Sequence, residues 1–217
     1  NEVLSEVQNY LLPEPEFNLF AIGDLERFGM EDSNISCYTA DNWSPGIKFP
    51  YFILDYRGNF IVYSDCTDYD AAEVGKFLEK NNPRNISGKD EIIRKLLPYL
   101  KNKKANLTYL ARLNEVTEAQ KQQAGKLMGQ VKRLTPTDIP AIYSFYLLID
   151  EFSYSYCNRS KEECYEDIRM NVTELGRSYG IFEQDKLVSI AQTSAENHTS
   201  AMVVGVATHP DFRKKGY

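Results

Sequence analysis

The chain has 217 residues, a formal net charge of −6 and 42% hydrophobic residues, with fifteen tyrosines and eleven phenylalanines. This composition excludes general disorder, because it supplies enough apolar side chains for one large core or two modest ones. No apolar run is long enough to cross a bilayer. Since the only dense basic cluster is the terminal "RKK", we expect neither a nucleic-acid nor a membrane partner.

The first half of the sequence mixes helical and strand-like patterns. Two strand-like runs flank Arg57-Gly58-Asn59, which predicts a hairpin. Helical spacing predicts helices over 3–12, 17–28, 68–82 and 90–100, and β-rich composition predicts a strand over 105–114. Gly29 is the predicted C-terminal stop of the second helix. We therefore expect a smaller mixed α/β domain over residues 1–116.

The polar stretch from Glu115 to Lys126 has few apolar residues, which predicts a domain boundary with a linker over 117–126. Its Ala, Gln and Lys residues are equally compatible with a surface helix. The second domain is expected over 127–217.

The second half begins with a predicted strand and two capped helices. Thr137 is the expected cap of the first helix, with Asp138 complementing its positive end. Ser160 and Glu163 form the capping-box pattern S-x-x-E, which predicts a second helix to about Val172. Three strands follow, in "SYGIFEQ", "LVSIAQTS" and "AMVVGVATH".

Cysteine and histidine usage gives no indication of a metal site. The four cysteines lack C-x-x-C spacing, and there are only two histidines. No basic, apolar leader opens the chain, although it begins with Asn rather than Met. We expect buried, reduced thiols and a cytoplasmic location.

The segment "AMVVGVATHPDFRKKGY" carries the most specific chemistry. Gly205 interrupts an apolar strand, which predicts a bulge or a close backbone approach, and Pro210 ends the strand. The basic residues after it and Gly216 would suit an anion such as a diphosphate, held by main-chain N–H groups. An ordinary basic surface turn has the same composition.

The order of elements and the pattern V-A-T-x-P-x-x-R-x-x-G-Y resemble the GNAT superfamily of N-acetyltransferases. Its acetyl-coenzyme A loop reads R/Q-x-x-G-x-G/A, and Arg213 to Tyr217 match the first five positions. The resemblance covers about 127–217, and the first half is a softer match to the divergent amino-terminal half of two-domain bacterial members. In the family a helix, a parallel strand and further elements follow this loop. We therefore expect an incomplete GNAT domain that is inactive alone.

The resemblance implies transfer of acetyl from acetyl-coenzyme A to a primary amine, on a small molecule or a peptide. The strand would pair with the pantetheine arm, with Val206 and Thr208 acting through their main chain, and the loop would bind the diphosphate. The cofactor-binding residues implied in this way are Val206, Ala207, Thr208, Arg213, Lys214, Lys215, Gly216 and Tyr217.

An amine acceptor must lose a proton before it attacks, which requires a general base. Glu183 and Glu196 are the candidates, with His198 as a proton shuttle, although each suits an exposed surface position. The acceptor site in the family often lies between the first two helices. Carboxylates and aromatic faces there could hold an ammonium group, or could belong to a polar loop whose aromatics pack inward; these residues are Asp150, Glu151, Tyr154 and Tyr156.

Two other functions stay open. The protein could bind an acyl-coenzyme A without transferring the acyl group, since no general base is obvious. The segment to Asn114 could instead be a scaffold or dimerisation half. The sequence identifies neither the acceptor nor the oligomeric state.

Overall fold

The computed structural model describes residues 2–66, 68–101, 103–127 and 130–217. The chain divides into two compact units, Asn1–Arg112 and Leu113–Tyr217. The boundaries at 116/117 and 126/127 remain a prediction, and residues of the proposed linker form a helix, Glu118–Leu127.

The described residues of the first unit form four α-helices and four strands. In chain order they are α1 (Glu2–Leu11), α2 (Leu19–Phe28), β1 (Ile35–Tyr38), β2 (Phe52–Tyr56), β3 (Asn59–Tyr63), α3 (Ala71–Asn81), β4 (Asn85–Ser87) and α4 (Asp90–Leu96). The sheet order is β1-β2-β3-β4. Only the β3–β4 pair is parallel, so the sheet is mixed.

Helices cover both faces of this sheet. Ile53 and Val62 pack in one buried cluster with side chains of α3 and α4. Phe52 and Leu54 pack in a second cluster with side chains of α1 and α2. Because successive strand residues point to opposite faces, the near-continuous apolar run in β2 fits a strand that is buried on both sides.

The predicted hairpin is confirmed. Residues of β2 and β3 pair in antiparallel register from Phe52↔Tyr63 to Tyr56↔Asn59. Arg57 and Gly58 both have positive φ, 52° and 86°, as a two-residue hairpin turn of type I′ requires. The predicted stop of α2 at Gly29 is also confirmed, with φ 70°.

The predicted strand over 105–114 is wrong. This segment forms no helix or strand, and Tyr109 is 92% exposed. Its β-rich composition favours a strand, but a strand needs a partner for its main-chain groups. The sequence also gave no indication of β1 or β4, which are only four and three residues long.

In its described residues the second unit contains α5 (Glu118–Leu127), followed by a four-stranded sheet and three further α-helices. They are β5 (Val131–Arg133), α6 (Ile139–Tyr146), α7 (Asp150–Cys157), α8 (Lys161–Thr173), β6 (Ser178–Glu183), β7 (Lys186–Ser194) and β8 (Met202–Thr208). The strand order is β5-β6-β7-β8, and every pair is antiparallel. Side chains of α6 and α8 pack on Leu187 and Ile190 of β7 to form the core.

Two helix starts in this unit test the capping predictions. The capping box of Ser160 and Glu163 is confirmed at the start of α8. The cap at Thr137 is wrong, because Thr135 and Asp138 form the reciprocal box that opens a short 3₁₀ turn before α6. Asp138 also pairs with Lys132 at 2.6 Å, and these contacts hold its pKa below the ordinary value despite its burial.

The predicted mixed α/β class is confirmed. No helix among the described residues is long and apolar enough to span a membrane. All four cysteines are free, but only Cys164 is buried. Since Cys66 and Cys157 are exposed, the expectation of buried thiols is wrong for these two.

Candidate functional site

The edge strand β8 and the loop after it form the candidate site. Within the described residues β8 pairs with β7 alone. Its outer edge is therefore free to accept an extended ligand. Val203 and Val206 are 66% and 65% exposed, so this strand also carries apolar side chains that no other part of the described chain covers.

The predicted bulge at Gly205 is confirmed. The register passes from Ile190↔Ala207 to Gln192↔Val204, so Gly205 and Val206 together stand opposite Ala191. Gly205 has φ 56°, a left-handed conformation in which glycine is least strained. A bulge of this kind interrupts the hydrogen-bond ladder and redirects the main chain.

Past the bulge, main-chain groups of β8 face the free edge. The His209 N–H donates to the Val188 carbonyl at 2.8 Å. Because main-chain groups of antiparallel strands alternate between facing the partner and facing away, those of Thr208 face the free edge. The Thr208 carbonyl accepts from Arg213 Nε at 3.2 Å, which anchors the arginine beside the strand end.

The loop after β8 has main-chain donors without partners. A 3₁₀ turn, Pro210–Phe212, leads into it. Lys214 and Gly216 have φ of 62° and 88°. The N–H groups of Lys214, Lys215 and Gly216 donate to no acceptor in the described part of the chain. Consecutive free amides in a turned backbone suit an anion.

Positive side chains from two elements lie near this loop. Lys215 Nζ is 4.5 Å and Lys186 Nζ 5.8 Å from the centre of the Phe212 ring. A cation of the loop and a cation at the start of β7 therefore both lie near the Phe212 ring, which raises the local positive potential. Neither ammonium group forms an ion pair with a carboxylate in the described residues.

His209 is a buried, neutral part of the loop base, with 5% of its surface exposed. Burial, with help from the nearby Lys186 and Arg213 charges, lowers its pKa below 6.5. Its Nδ1 accepts from the Asp211 N–H at 3.2 Å, which places the ring proton of the neutral form on Nε2. The approach of Asp211 at 3.9 Å is thus not an ion pair at neutral pH.

The two candidate bases lie at opposite ends of the sheet. Glu183 pairs with Lys186, five residues along β7 from Ala191, or about 17 Å from the bulge. Glu196 accepts a hydrogen bond from Thr193, only two residues, or about 7 Å, from Ala191 along the strand. The structure therefore brings Glu196 closer to the bulge and Glu183 closer to the loop.

Each carboxylate has partners of its own. Glu183 Oε1 accepts from the Tyr217 hydroxyl at 2.7 Å. Glu196 Oε2 lies 3.4 Å from Arg177 Nε, and its side chain is 23% exposed. A substrate amine that used Glu196 would replace or share these contacts. His198 is exposed on the same loop.

The proposed acceptor residues lie on α7, which the sequence assigned to a loop. Asp150 and Glu151 occupy its first turn, where carboxylates complement the helix dipole. Tyr154 is 79% exposed, whereas the Tyr156 ring packs 4.9 Å from that of Tyr146. Residues two apart on a helix point to nearly opposite sides, so the structure does not bring the two tyrosines together.

Sequence reasoning missed two residues beneath β8, Tyr146 and Gln192. The Tyr146 hydroxyl donates to Gln192 Oε1 at 2.6 Å inside the second unit. Burial raises the pKa of Tyr146, so the hydroxyl stays a donor at neutral pH. The available signal was a glutamine at a position of β7 where the strand pattern calls for an apolar residue.

Nine chains of solved structures match this chain. No family model matches the chain, and no curated protein matches it. A solved structure, the ribosomal-protein-S18-alanine N-acetyltransferase from Escherichia coli, matches with 21% identity and a TM-score of 0.32. The match covers 40% of this chain and 49% of that one, so the chain spans about half the length of that structure.

Proposed function

We propose that the second unit belongs to an N-acetyltransferase of the GNAT type, which transfers acetyl from acetyl-coenzyme A to a primary amine in the cytoplasm. The observation that carries this proposal is the combination of a bulged edge strand with a basic loop at its end, in which the N–H groups of Lys214, Lys215 and Gly216 donate to no acceptor among the described residues. The edge would pair with the amide groups of the pantetheine arm, and the loop would hold the diphosphate. The GNAT-like sequence pattern in Val206–Tyr217 supports the same function.

The loop residues fit a diphosphate chemically. Lys214, Lys215 and Gly216 offer N–H donors that have no acceptor in the described part of the chain, and side chains of Lys186 and Lys215 supply positive charge nearby. Charge-assisted hydrogen bonds from main-chain N–H to phosphate oxygen are among the stronger ones in proteins. Arg213 would contribute mainly by fixing the loop to Thr208.

The strand would stabilise the reaction through its main chain. Attack of the amine nitrogen on the thioester carbonyl forms a C–N bond and breaks the C–S bond, and the coenzyme A thiolate leaves. Negative charge develops on the carbonyl oxygen before the thiolate departs. An aimed N–H donor at such an oxygen is worth about 2.7–4 kcal/mol, and we assign this role to the main chain of Val206 or Thr208.

Glu196 is the better placed of the two candidate bases. An amine with an ordinary lysine pKa costs about 4–5 kcal/mol to deprotonate at pH 7, so a carboxylate near the reacting carbonyl is needed, directly or through water. Glu196 lies near the bulge, whereas Glu183 lies near the diphosphate loop. The exposed carboxylates Asp150 and Glu151 would attract the ammonium form of the acceptor.

A second candidate function is acyl-coenzyme A binding without transfer. The observation in its favour is that both carboxylates already have partners, Tyr217 for Glu183 and Arg177 for Glu196. Release of free coenzyme A thiol by the full-length protein in the presence of a panel of primary amines separates the two functions. Amine-dependent thiol release supports the transferase, and cofactor binding without release supports the binding protein.

A further inference from the structure

Gln192 lies beneath the bulge of β8, and both ends of its carboxamide are held. Its side chain is buried, with 7% of the residue exposed. Oε1 accepts from the Tyr146 hydroxyl of α6 at 2.6 Å, and Nε2 donates to Ser178 Oγ of β6 at 2.7 Å. Two buried hydrogen bonds from different elements leave this carboxamide little freedom to move.

The held carboxamide contacts the backbone of the bulge. A Cβ atom at Gly205 would lie 2.5 Å from Gln192 Oε1, closer than van der Waals contact permits. Two features therefore restrict Gly205: its left-handed φ of 56° and its contact with the Gln192 side chain. Relaxation of the bulge to a regular strand would move Gly205 away from this contact.

Tyr146 is itself immobilised. Its ring packs 4.9 Å from that of Tyr156 and 5.1 Å from that of Phe152, both on α7. The packing of α6 against α7 thus determines where the hydroxyl meets Gln192. No other hydrogen bond of the Tyr146 hydroxyl is present among the described residues.

We infer that Gln192, held by Tyr146 and Ser178, is a positioning residue that fixes the bulge and thereby aims the main-chain donor of β8 at the thioester carbonyl. This inference rests on the proposed acetyltransferase function. Gln192 acts through Gly205 and Val206 and touches neither substrate. An error of about 1 Å in the position of a reacting group can cost about a hundredfold in rate, so a held bulge matters to transfer.

The first measurement needs no cofactor. Amide chemical shifts and hydrogen-exchange rates of Gly205 and Val206 are recorded by NMR in the 217-residue chain and in Gln192→Leu and Tyr146→Phe. We expect both variants to shift these two amides and to speed their exchange at least tenfold. Tyr143→Phe is the matched control, because Tyr143 lies on α6 but packs on Tyr165. Tyr146→Phe keeps the test available if Gln192→Leu does not fold.

The second measurement follows the stretching frequency of the thioester carbonyl of acetyl-coenzyme A. Infrared difference spectra of acetyl-coenzyme A labelled with ¹³C at the carbonyl are recorded free and bound. In the wild type we expect the carbonyl stretch to move to lower frequency on binding, because a donor polarises it. In Gln192→Leu or Tyr146→Phe this shift should be lost, while the dissociation constant changes less than threefold because the diphosphate loop is untouched.

Separate outcomes would overturn separate claims. If the amides of Gly205 and Val206 are unchanged in both variants, the inference about Gln192 is wrong whatever the cofactor does. If they change but the bound carbonyl keeps its shifted frequency, Gln192 holds the bulge without aiming a donor, and the positioning role is wrong. If the wild type binds no acetyl-coenzyme A, the proposed function is wrong. The first measurement still tests whether Gln192 fixes the bulge, because it needs no cofactor.

Discussion

The Tyr217 hydroxyl donates a 2.7 Å hydrogen bond to Glu183 Oε1, which ties the end of β6 to the loop after β8. This contact raises the pKa of Tyr217 above its ordinary value. It also places a carboxylate beside a loop to which we assign an anionic ligand. The Glu183 carboxylate and the diphosphate that we assign to the loop carry the same sign of charge and should repel each other.

Glu183→Gln should tighten acetyl-coenzyme A binding about twofold to fivefold at low salt, because it removes a negative charge near the diphosphate. The gain should shrink in high salt, where exposed charges are screened. Calorimetric titration at two salt concentrations measures both effects. Tyr217→Phe is the companion variant, since it breaks the hydrogen bond and keeps the charge. Binding that weakens in Glu183→Gln would show that this carboxylate supports the loop instead.

In the full-length protein, Glu196→Gln should lower the rate of amine-dependent thiol release by about a hundredfold or more, the range expected for loss of a general base. The dissociation constant of acetyl-coenzyme A should change less than threefold, because Glu196 is remote from the loop. Glu183→Gln is the matched control and should keep the rate within threefold. Equal rates for Glu196→Gln and the wild type would remove Glu196 from the mechanism.

Gly216→Val should weaken acetyl-coenzyme A binding at least tenfold. Gly216 has φ 88°, which a β-branched residue tolerates poorly, so the loop amides would turn from their present directions. Gly46→Val is the matched control, because Gly46 has a similar φ of 83° but lies in the first unit. Both variants should lose about 1–2 kcal/mol of stability, and only Gly216→Val should lose affinity. If both keep full affinity, the loop does not bind the diphosphate.

Asp24→Asn should stabilise the first unit by about 1–3 kcal/mol at pH 7. Burial raises the pKa of Asp24 to about 6, so the charged form is disfavoured in the folded state, and one pKa unit corresponds to about 1.4 kcal/mol. Because the folded pKa lies above the unfolded value of 3.8, the wild type gains stability as the pH falls from about 7 to about 4. Urea unfolding at pH 7 and pH 4.5 should therefore show a smaller difference between variant and wild type at the lower pH. Replacement of the exposed Glu31 by Gln is the control and should change stability by less than about 0.5 kcal/mol.

His209 should make the stability of the second unit depend on pH in the opposite direction. Its folded pKa is lowered by burial, so the unfolded chain binds a proton more readily. The contribution of His209 to the free energy of unfolding is then fully present above about pH 6.5, the ordinary histidine pKa. It is lost as the pH falls through the folded pKa. NMR titration of the His209 ring should give a midpoint below 6.5, and His209→Gln should flatten the acid side of the unfolding curve. A midpoint at or above 6.5 would contradict this account of the loop base.

The sequence was sufficient where a local rule determines structure. The positive-φ turn at Arg57-Gly58, the capping box at Ser160 and the bulge at Gly205 each follow from conformational limits of one to four residues. Of these features, the bulge at Gly205 lies in β8, the edge strand of the candidate site. The cofactor-binding role of Val206, Ala207, Thr208 and Arg213–Tyr217 stays a prediction.

Three other features depend on tertiary packing and strand pairing, which the sequence does not show directly. Helix α7 contains Ser, Tyr and Cys residues of modest helix propensity, and the packing of Phe152 and Tyr156 on Tyr146 supports it as a helix. Strand propensity in 105–114 has no pairing partner in the described chain. The relation of Gln192 to Gly205 depends on a register that no single-strand pattern contains.

The most direct test of the account is calorimetric titration of the 217-residue chain with coenzyme A and, separately, with pantetheine, which lacks the diphosphate. If the loop from Arg213 to Gly216 binds the diphosphate, coenzyme A should bind with a dissociation constant below one millimolar and pantetheine at least about tenfold more weakly, since the lost charge-assisted bonds are worth more than about 1.4 kcal/mol. No heat from coenzyme A at millimolar concentration, or equal affinity for the two compounds, would contradict the account.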